Sequence, residues 1–159
     1  MKEISVGKGM VALVDDEDFE RINNHKWHAQ RDRNTYYAVR VIRINGRRRP
    51  IKMHKEVLGI ALGSGPKVDH RNRNGLDNQK ANLRAATSSE NGSNSKRSLR
   101  NTSGFRGVCW NKRSKKWQAA IRVNKSDIYI GVFSRKEAAA KAYDEFARRY
   151  HGEFATTNF

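Results

Sequence analysis

The chain has 159 residues, with 33 Lys+Arg against 16 Asp+Glu and a formal net charge of +17. Hydrophobic residues make up 36%, thin for one large core but enough for two small ones, and three Trp, five Tyr and six Phe exclude a disordered chain. No apolar run reaches the about 18 residues that span a bilayer, the N-terminal segment has no signal-type apolar stretch, and a single cysteine, Cys109, excludes an internal disulfide and a Cys-rich zinc site. A reducing, cytoplasmic setting is predicted, with no membrane partner.

The positive excess is not a tail. It is +4 over residues 1–50 (11 basic, 7 acidic), +6 over 51–100 (10, 4) and +7 over 101–159 (12, 5). Such a surface repels itself unless a polyanion screens it, and nucleic acid is the first candidate, ahead of an anionic membrane surface or a merely soluble basic protein.

In chain order, residues 4–6 and 10–14 read as strands. Asp15, Asp16, Glu17 and Asp18 open a predicted helix through Asn23, where acidic side chains complement the positive helix end, a reading preferred to an acidic metal site. Trp27 and residues 36–44 read as strands, Asn45-Gly46 as a hairpin turn, and Arg47, Arg48 and Arg49 start a return strand to Met53. Residues 54–62 read as a helix and 67–70 as a short strand. A polar, Asn-rich loop then runs to Asn82. Thr87-Ser-Ser-Glu90 has capping-box spacing and should start a short helix. Residues 92–104, rich in Ser, Asn, Arg and Gly, read as a linker with almost nothing to bury.

Residues 105–109 read as a strand. Over 117–123, Trp117, Ala119, Ile121 and Val123 alternate onto one face and Gln118, Ala120 and Arg122 onto the other. A turn at 124–126 leads to a strand over 127–133. Ser134-Arg-Lys-Glu137 has capping-box spacing, and the helix behind it puts Ala139, Ala142, Tyr143, Phe146 and Tyr150 on one face, with Gly152 past its end.

The densest polar constellation is Val68-Asp69-His70, the loop to Asn82-Leu83, and Glu90-Asn91. A strand ending at His70 lets an oxygen ligand and an imidazole approach one phosphate. Asn82 is placed to lock the loop onto His70 through backbone hydrogen bonds. Asn91, in the first turn of the next helix, can return to Asp69, and two hard oxygen donors suit Mg²⁺ with waters. Any one of these residues alone is as well explained by turns and caps; the joint pattern is not.

Val68-Asp69-His70, Asn82-Leu83-Arg84 and Glu90-Asn91 resemble the HNH nucleases, particularly phage-type homing endonucleases, over about residues 50–95. The resemblance implies Asp69 and Asn91 as metal ligands, His70 as general base and Asn82 as the residue that orients the loop. Asn in place of His at the third position favours Mg²⁺ or Mn²⁺ over Zn²⁺. His54 is assigned a structural or phosphate-contacting role. Phe105-Arg106-Gly107-Val108, residues 116–122, Ile130-Gly131-Val132-Phe133, residues 138–144 and Asn158-Phe159 resemble the Apetala-two/ethylene-response-factor (AP2/ERF) DNA-binding domain. That resemblance implies a three-stranded sheet in the major groove, with Arg106 and Arg122 as DNA contacts and Trp110, Lys112, Arg113 and Tyr129 as further candidates. Cys109, Ala120 and Tyr129 depart from the family's frequent Arg, Glu and Trp, so base specificity does not carry over.

The predicted architecture is α+β: a small ββα-metal (His-Me finger) nuclease module, then a three-stranded antiparallel sheet plus one helix. Its parts are a β-rich region over 1–53, the HNH core over 54–95, a linker over 96–104 and the DNA-binding domain over 105–159. The predicted function is site-specific, metal-dependent cleavage or nicking of double-stranded DNA by a monomer, encoded by a phage or mobile element and acting in the host cytoplasm. Arg71, Arg73 and Lys80 are candidate phosphate clamps. The alternatives are a non-catalytic DNA-binding transcriptional regulator and an RNA-binding structural protein; neither needs Asp69, His70 and Asn91 together.

Overall fold

The computed structural model describes residues 1–32, 35–95 and 101–159, so part of the predicted linker, 96–100, lies outside the described residues. The chain divides into two compact units, Met1–Thr87 and Ser88–Phe159. The division falls ahead of Asn91 and places it in a different unit from Asp69 and His70.

In the first unit, β1 (Lys2–Ser5) pairs antiparallel with β2 (Val11–Val14), and α1 (Asp16–Asn23) follows. The acidic run ahead of α1 holds the distant Asn-rich loop as well as facing the helix dipole. Asp15 Oδ2 accepts the Lys80 backbone N–H at 2.8 Å, and Lys80 Nζ lies 3.0 Å from Asp18 Oδ2. Burial alone would raise the Asp18 pKa, but the bonds from Arg21 and Lys80 outweigh it and lower it. A second sheet runs β3 (His28–Asp32), β4 (Thr35–Ile44), β5 (Arg47–Lys52), all antiparallel. Asn45 and Gly46 both take positive φ, 49° and 73°, which is what a two-residue hairpin turn matched to strand twist requires.

α2 (Met53–Val57) is shorter than the helix predicted over 54–62. Gly59 at φ 65° takes the chain out of the helix; Ile60 then packs on the core while Leu62 is exposed. β6 (Lys67–His70) and β7 (Leu83–Ala86) form a two-stranded antiparallel sheet in which Asp69 stands opposite Arg84. The core combines Ile4, Val14, Ile22, Trp27, Met53 and Leu83 from β1, β2, α1, α2, β7 and the segment ahead of β3. The Trp27 indole satisfies its N–H on the Ile22 carbonyl at 2.8 Å.

The second unit begins with α3 (Ser88–Ser93). Two residues of the predicted linker region are buried here, Asn94 and Ser103, and Ser103 Oγ bonds the Phe105 carbonyl at 3.0 Å. Short polar side chains can be buried when their hydrogen bonds are met. β8 (Val108–Asn111), β9 (Lys116–Val123) and β10 (Ser126–Phe133) form a sheet in the order β10-β9-β8, with α4 (Lys136–His151) packed on it. β8 starts three residues later than predicted because the chain turns at Gly107, φ 69°. A Cβ there would lie 2.0 Å from the Tyr143 ring and 2.7 Å from the Ala120 carbonyl oxygen.

The buried stripe of α4 is Ala139, Ala140, Tyr143, Asp144 and Ala147; Tyr150, expected on it, is exposed. The capping residue of α4 is Arg135, and no side chain caps it, so the Ser134 box does not form. Asp144 is buried for another reason. Its carboxylate accepts the backbone N–H groups of Asn158 and Phe159 at 2.8–2.9 Å, and Asn158 in turn bonds the Arg106 backbone. Among the described residues, no helix is long and apolar enough to cross a membrane.

Candidate functional site

Within the first unit, β6, the loop after it, α2 and β4 bring four side chains together. His70, the last residue of β6, is buried. Its ring lies 5.0 Å from that of His54 on α2 and 5.7 Å from that of Tyr37 on β4, and Tyr37 and His54 lie 5.6 Å apart. Asn78, fully buried in the Asn-rich loop, completes the group. Its amide nitrogen donates to the Leu76 carbonyl at 3.1 Å and faces Met53 Sδ at 3.4 Å, so its Oδ1, 3.4 Å from His70 Nε2, accepts from that nitrogen. This orientation of the Asn78 amide assigns the proton to Nε2 and the lone pair to Nδ1.

Burial lowers the pKa of both histidines. For His70 the bond from Asn78 and the charge of Asp69 oppose the burial without cancelling it. For His54, burial together with repulsion from His70, Lys52 and Lys55 brings it down to about 3. Both rings are therefore neutral at pH 7, and a neutral imidazole is the form that can take up a proton.

The loop that carries Asn78 is fastened from several sides. The Leu13 backbone on β2 makes two hydrogen bonds to the loop, donating its N–H to the Leu76 carbonyl and accepting the Asn78 N–H on its carbonyl, both 2.8 Å. Asn82 accepts from the Asn72 backbone at 3.0 Å and donates to the Asp77 carbonyl at 2.8 Å, while its own carbonyl accepts the Arg71 N–H. Asn82 thus orients the loop beside His70 through backbone hydrogen bonds, and Asn78 meets the His70 ring. Gly75 sits where a Cβ would lie 2.5 Å from the Tyr36 carbonyl oxygen and 2.7 Å from the Tyr37 ring, so the loop presses directly on the cluster.

Asp69 is buried, and Arg84 donates to its Oδ2 from Nε at 2.9 Å and from Nη2 at 2.8 Å. A carboxylate is the right donor for Mg²⁺, which is held by as few as one or two carboxylates with waters and substrate phosphates completing its shell. Asp69 fits the ion in this chemical sense. It is not a ready-made cage, because Arg84 already compensates its charge, and among the described residues no group of three His, Cys, Asp or Glu side chains gathers. Asn91, the expected second ligand, is exposed on α3 in the second unit. Of the phosphate clamps, Arg71 and Arg73 are exposed on the loop. Lys80 is instead tied to Glu17 and Asp18, which raise its pKa.

In the second unit, β9 places Ala119 and Ile121 against α4 and leaves Arg122 on the free face, where Asp127 stands opposite it and Tyr129 opposite Ala120. Arg122 lies 3.5 Å from Asp127, with both side chains about 70% exposed; a pair so exposed contributes little and leaves the guanidinium available. Lys112 and Arg113 are exposed in the β8–β9 turn. Two further expected contacts lie off the free face. Trp110, itself exposed, pairs in register with Trp117 on the helix side of the sheet, and the two rings meet at 5.1 Å. Arg106 turns its guanidinium onto the Ser95 carbonyl and the Tyr143 hydroxyl. Cys109, expected to be structural, is exposed beside Gln118 on the free face.

Sequence reasoning missed Asn78 and Tyr37. The signal for Asn78 was present only as one asparagine among several in the loop, and that for Tyr37 only as an aromatic in a strand.

The chain is 32% identical to protein 3.8 of Escherichia phage T7 over 107 residues, 65% of this chain and 88% of that protein. It is also 45% identical over 62 residues to the AP2-like ethylene-responsive transcription factor CRL5 of Oryza sativa subsp. japonica, and 44% identical over 62 residues to the AP2-like ethylene-responsive transcription factor ANT of Arabidopsis thaliana. Those matches cover 38% of this chain, which spans only about a tenth of the transcription factors' length (10% and 11%). No family model matches the chain. No solved structure matches it.

Proposed function

The chain belongs to the family of protein 3.8 of Escherichia phage T7, and on the residues around His70 we propose that it is a site-specific, metal-dependent DNA endonuclease of the HNH homing type. In this reading the β6–β7 pair of the first unit carries the nuclease residues, and the sheet of the second unit is an AP2-like DNA-binding domain. The observation that carries the reading is His70: a buried, neutral imidazole at a strand end, its Nε2 proton fixed by Asn78, next to a carboxylate, in a chain of charge +17. Phosphodiester hydrolysis needs an activated water, and a base so held supplies it.

His70 Nδ1 takes the proton of a water that attacks phosphorus, and the 3′ oxygen leaves. Asp69 would hold Mg²⁺ or Mn²⁺, which when bound would neutralise charge on the phosphate and the leaving oxygen. Asn78 keeps the His70 lone pair on Nδ1, Asn82 keeps the loop closed, and the free face of the second unit's sheet holds the duplex. The test is incubation with supercoiled plasmid. Nicked circles or linear product in Mg²⁺ or Mn²⁺, and none in EDTA, are expected. The second reading, a DNA-binding regulator without catalysis, is favoured by the Arg84 bonds that already compensate Asp69. It predicts retention of duplex DNA with no nicking under any ion.

A further inference from the structure

The ribbon formed by β4 and β5 continues well past the core. Every residue from 43 to 50 is exposed. Register sets Arg43 opposite Arg48, Val41 opposite Pro50 and Val39 opposite Lys52. Cross-strand partners share a face and faces alternate along a strand, so Arg43, Arg48, Val41, Lys52 and Tyr37 all belong to one face. That is the face on which the Tyr37 ring meets His54 and His70. The opposite face carries Arg47 and Arg49, and at its base Arg40, which Glu56 binds through two hydrogen bonds.

Like charges directly opposite in a ribbon repel. Among the described residues no carboxylate pairs with Arg43 or Arg48 to relieve their repulsion. A polyanion would. Six residues separate Tyr37 from Arg43, about 20 Å of strand at about 3.3 Å per residue. That is over half of a turn of B-DNA, about 34 Å. The guanidinium fork matches phosphate oxygens in pairs.

We propose that the face of the β4–β5 hairpin bearing Arg43 and Arg48 grips the backbone of duplex DNA about half a helical turn from the phosphate presented to His70. The proposal rests on the reading of His70 as a group that acts on DNA. It adds a contact surface in the first unit, independent of the sheet in the second.

The experiment measures binding of the full chain to a labelled duplex across a salt series, with plasmid nicking run in parallel. Arg43→Gln with Arg48→Gln is compared with Arg47→Gln with Arg49→Gln, the same charge change on the opposite face. Each phosphate contact contributes about 0.9 to the slope of log affinity against log salt. The Arg43/Arg48 variant should lower the slope by about two and nick more slowly; the Arg47/Arg49 variant should shift the slope by less than about half a unit. All four side chains are exposed, and matching thermal melts verify that both variants fold. Equal slopes for the two variants, whether both lowered or both unchanged, overturn the proposal. If the wild type never nicks but the difference between faces holds, the grip stands and the nuclease reading falls. If the wild type nicks and the faces do not differ, the grip alone falls.

Discussion

A histidine with its pKa near 3 in the fold has a signed consequence. His54 is neutral in the folded chain down to about pH 3, whereas an unfolded histidine protonates near 6.5. Between those values the unfolded state binds the extra proton, so stability is complete above about pH 6.5 and is lost as pH falls below it. His70, also lowered, acts with the same sign. Up to about 1.4 kcal/mol per pH unit is expected from each fully buried neutral histidine within its window. His54→Leu should therefore flatten the dependence of melting temperature on pH between 5 and 6.5. An unchanged acid sensitivity would show that His54 protonates freely in the fold. At this scale the sequence was partly legible. Asp69 and His70 stood out as an acid–imidazole pair, but the Arg84 bond to Asp69 depends on β7, which shows no alternation of its own. Asn78 was hidden because a single sequence does not say which asparagine of a polar loop turns inward.

At the scale of elements, the turns and alternating strands were legible because their signals are local. Asn45-Gly46 needs only two residues of permissive backbone, and the alternation of β9 placed Arg122 on the free face. Two local signals were misread. The helix over 54–62 stops at α2 because Gly59 leaves it, and Trp110 is drawn to the helix side by its register with Trp117. Gly107→Ala should destabilise the second unit by at least about 2 kcal/mol, because the added methyl meets the Tyr143 ring and needs a positive φ. A circular-dichroism melt checks it; an unaltered melting temperature would mean that the Gly107 turn relaxes freely. Arg122→Ala should weaken binding to the cognate duplex by about 1–3 kcal/mol while sparing nonspecific DNA, because an Arg on the free face can read guanine in the major groove. Lys115→Ala, from the exposed turn ahead of β9, should weaken binding to both duplexes and lower the salt slope by about one. Titrations on cognate and scrambled duplexes distinguish the two. Equal weakening on both duplexes by Arg122→Ala would make its contact a phosphate contact.

Across the whole molecule the charge is shared. Residues 1–87 hold 18 basic and 10 acidic side chains, +8, and residues 88–159 hold 15 and 6, +9. Neither unit is a neutral support for the other, and a positive excess on each is what the proposed DNA contacts through both units require. The composition made this visible at once, whereas the division after Thr87 needed the packing of the two cores. The proposed hydrolysis depends on His70 as its base. The measurement that tests it most directly is the plasmid-nicking rate of His70→Ala against the wild type in Mg²⁺, with duplex affinity measured on the same preparations. A loss of at least about 100-fold in rate with affinity retained is the predicted result; nicking by His70→Ala at the wild-type rate would contradict it.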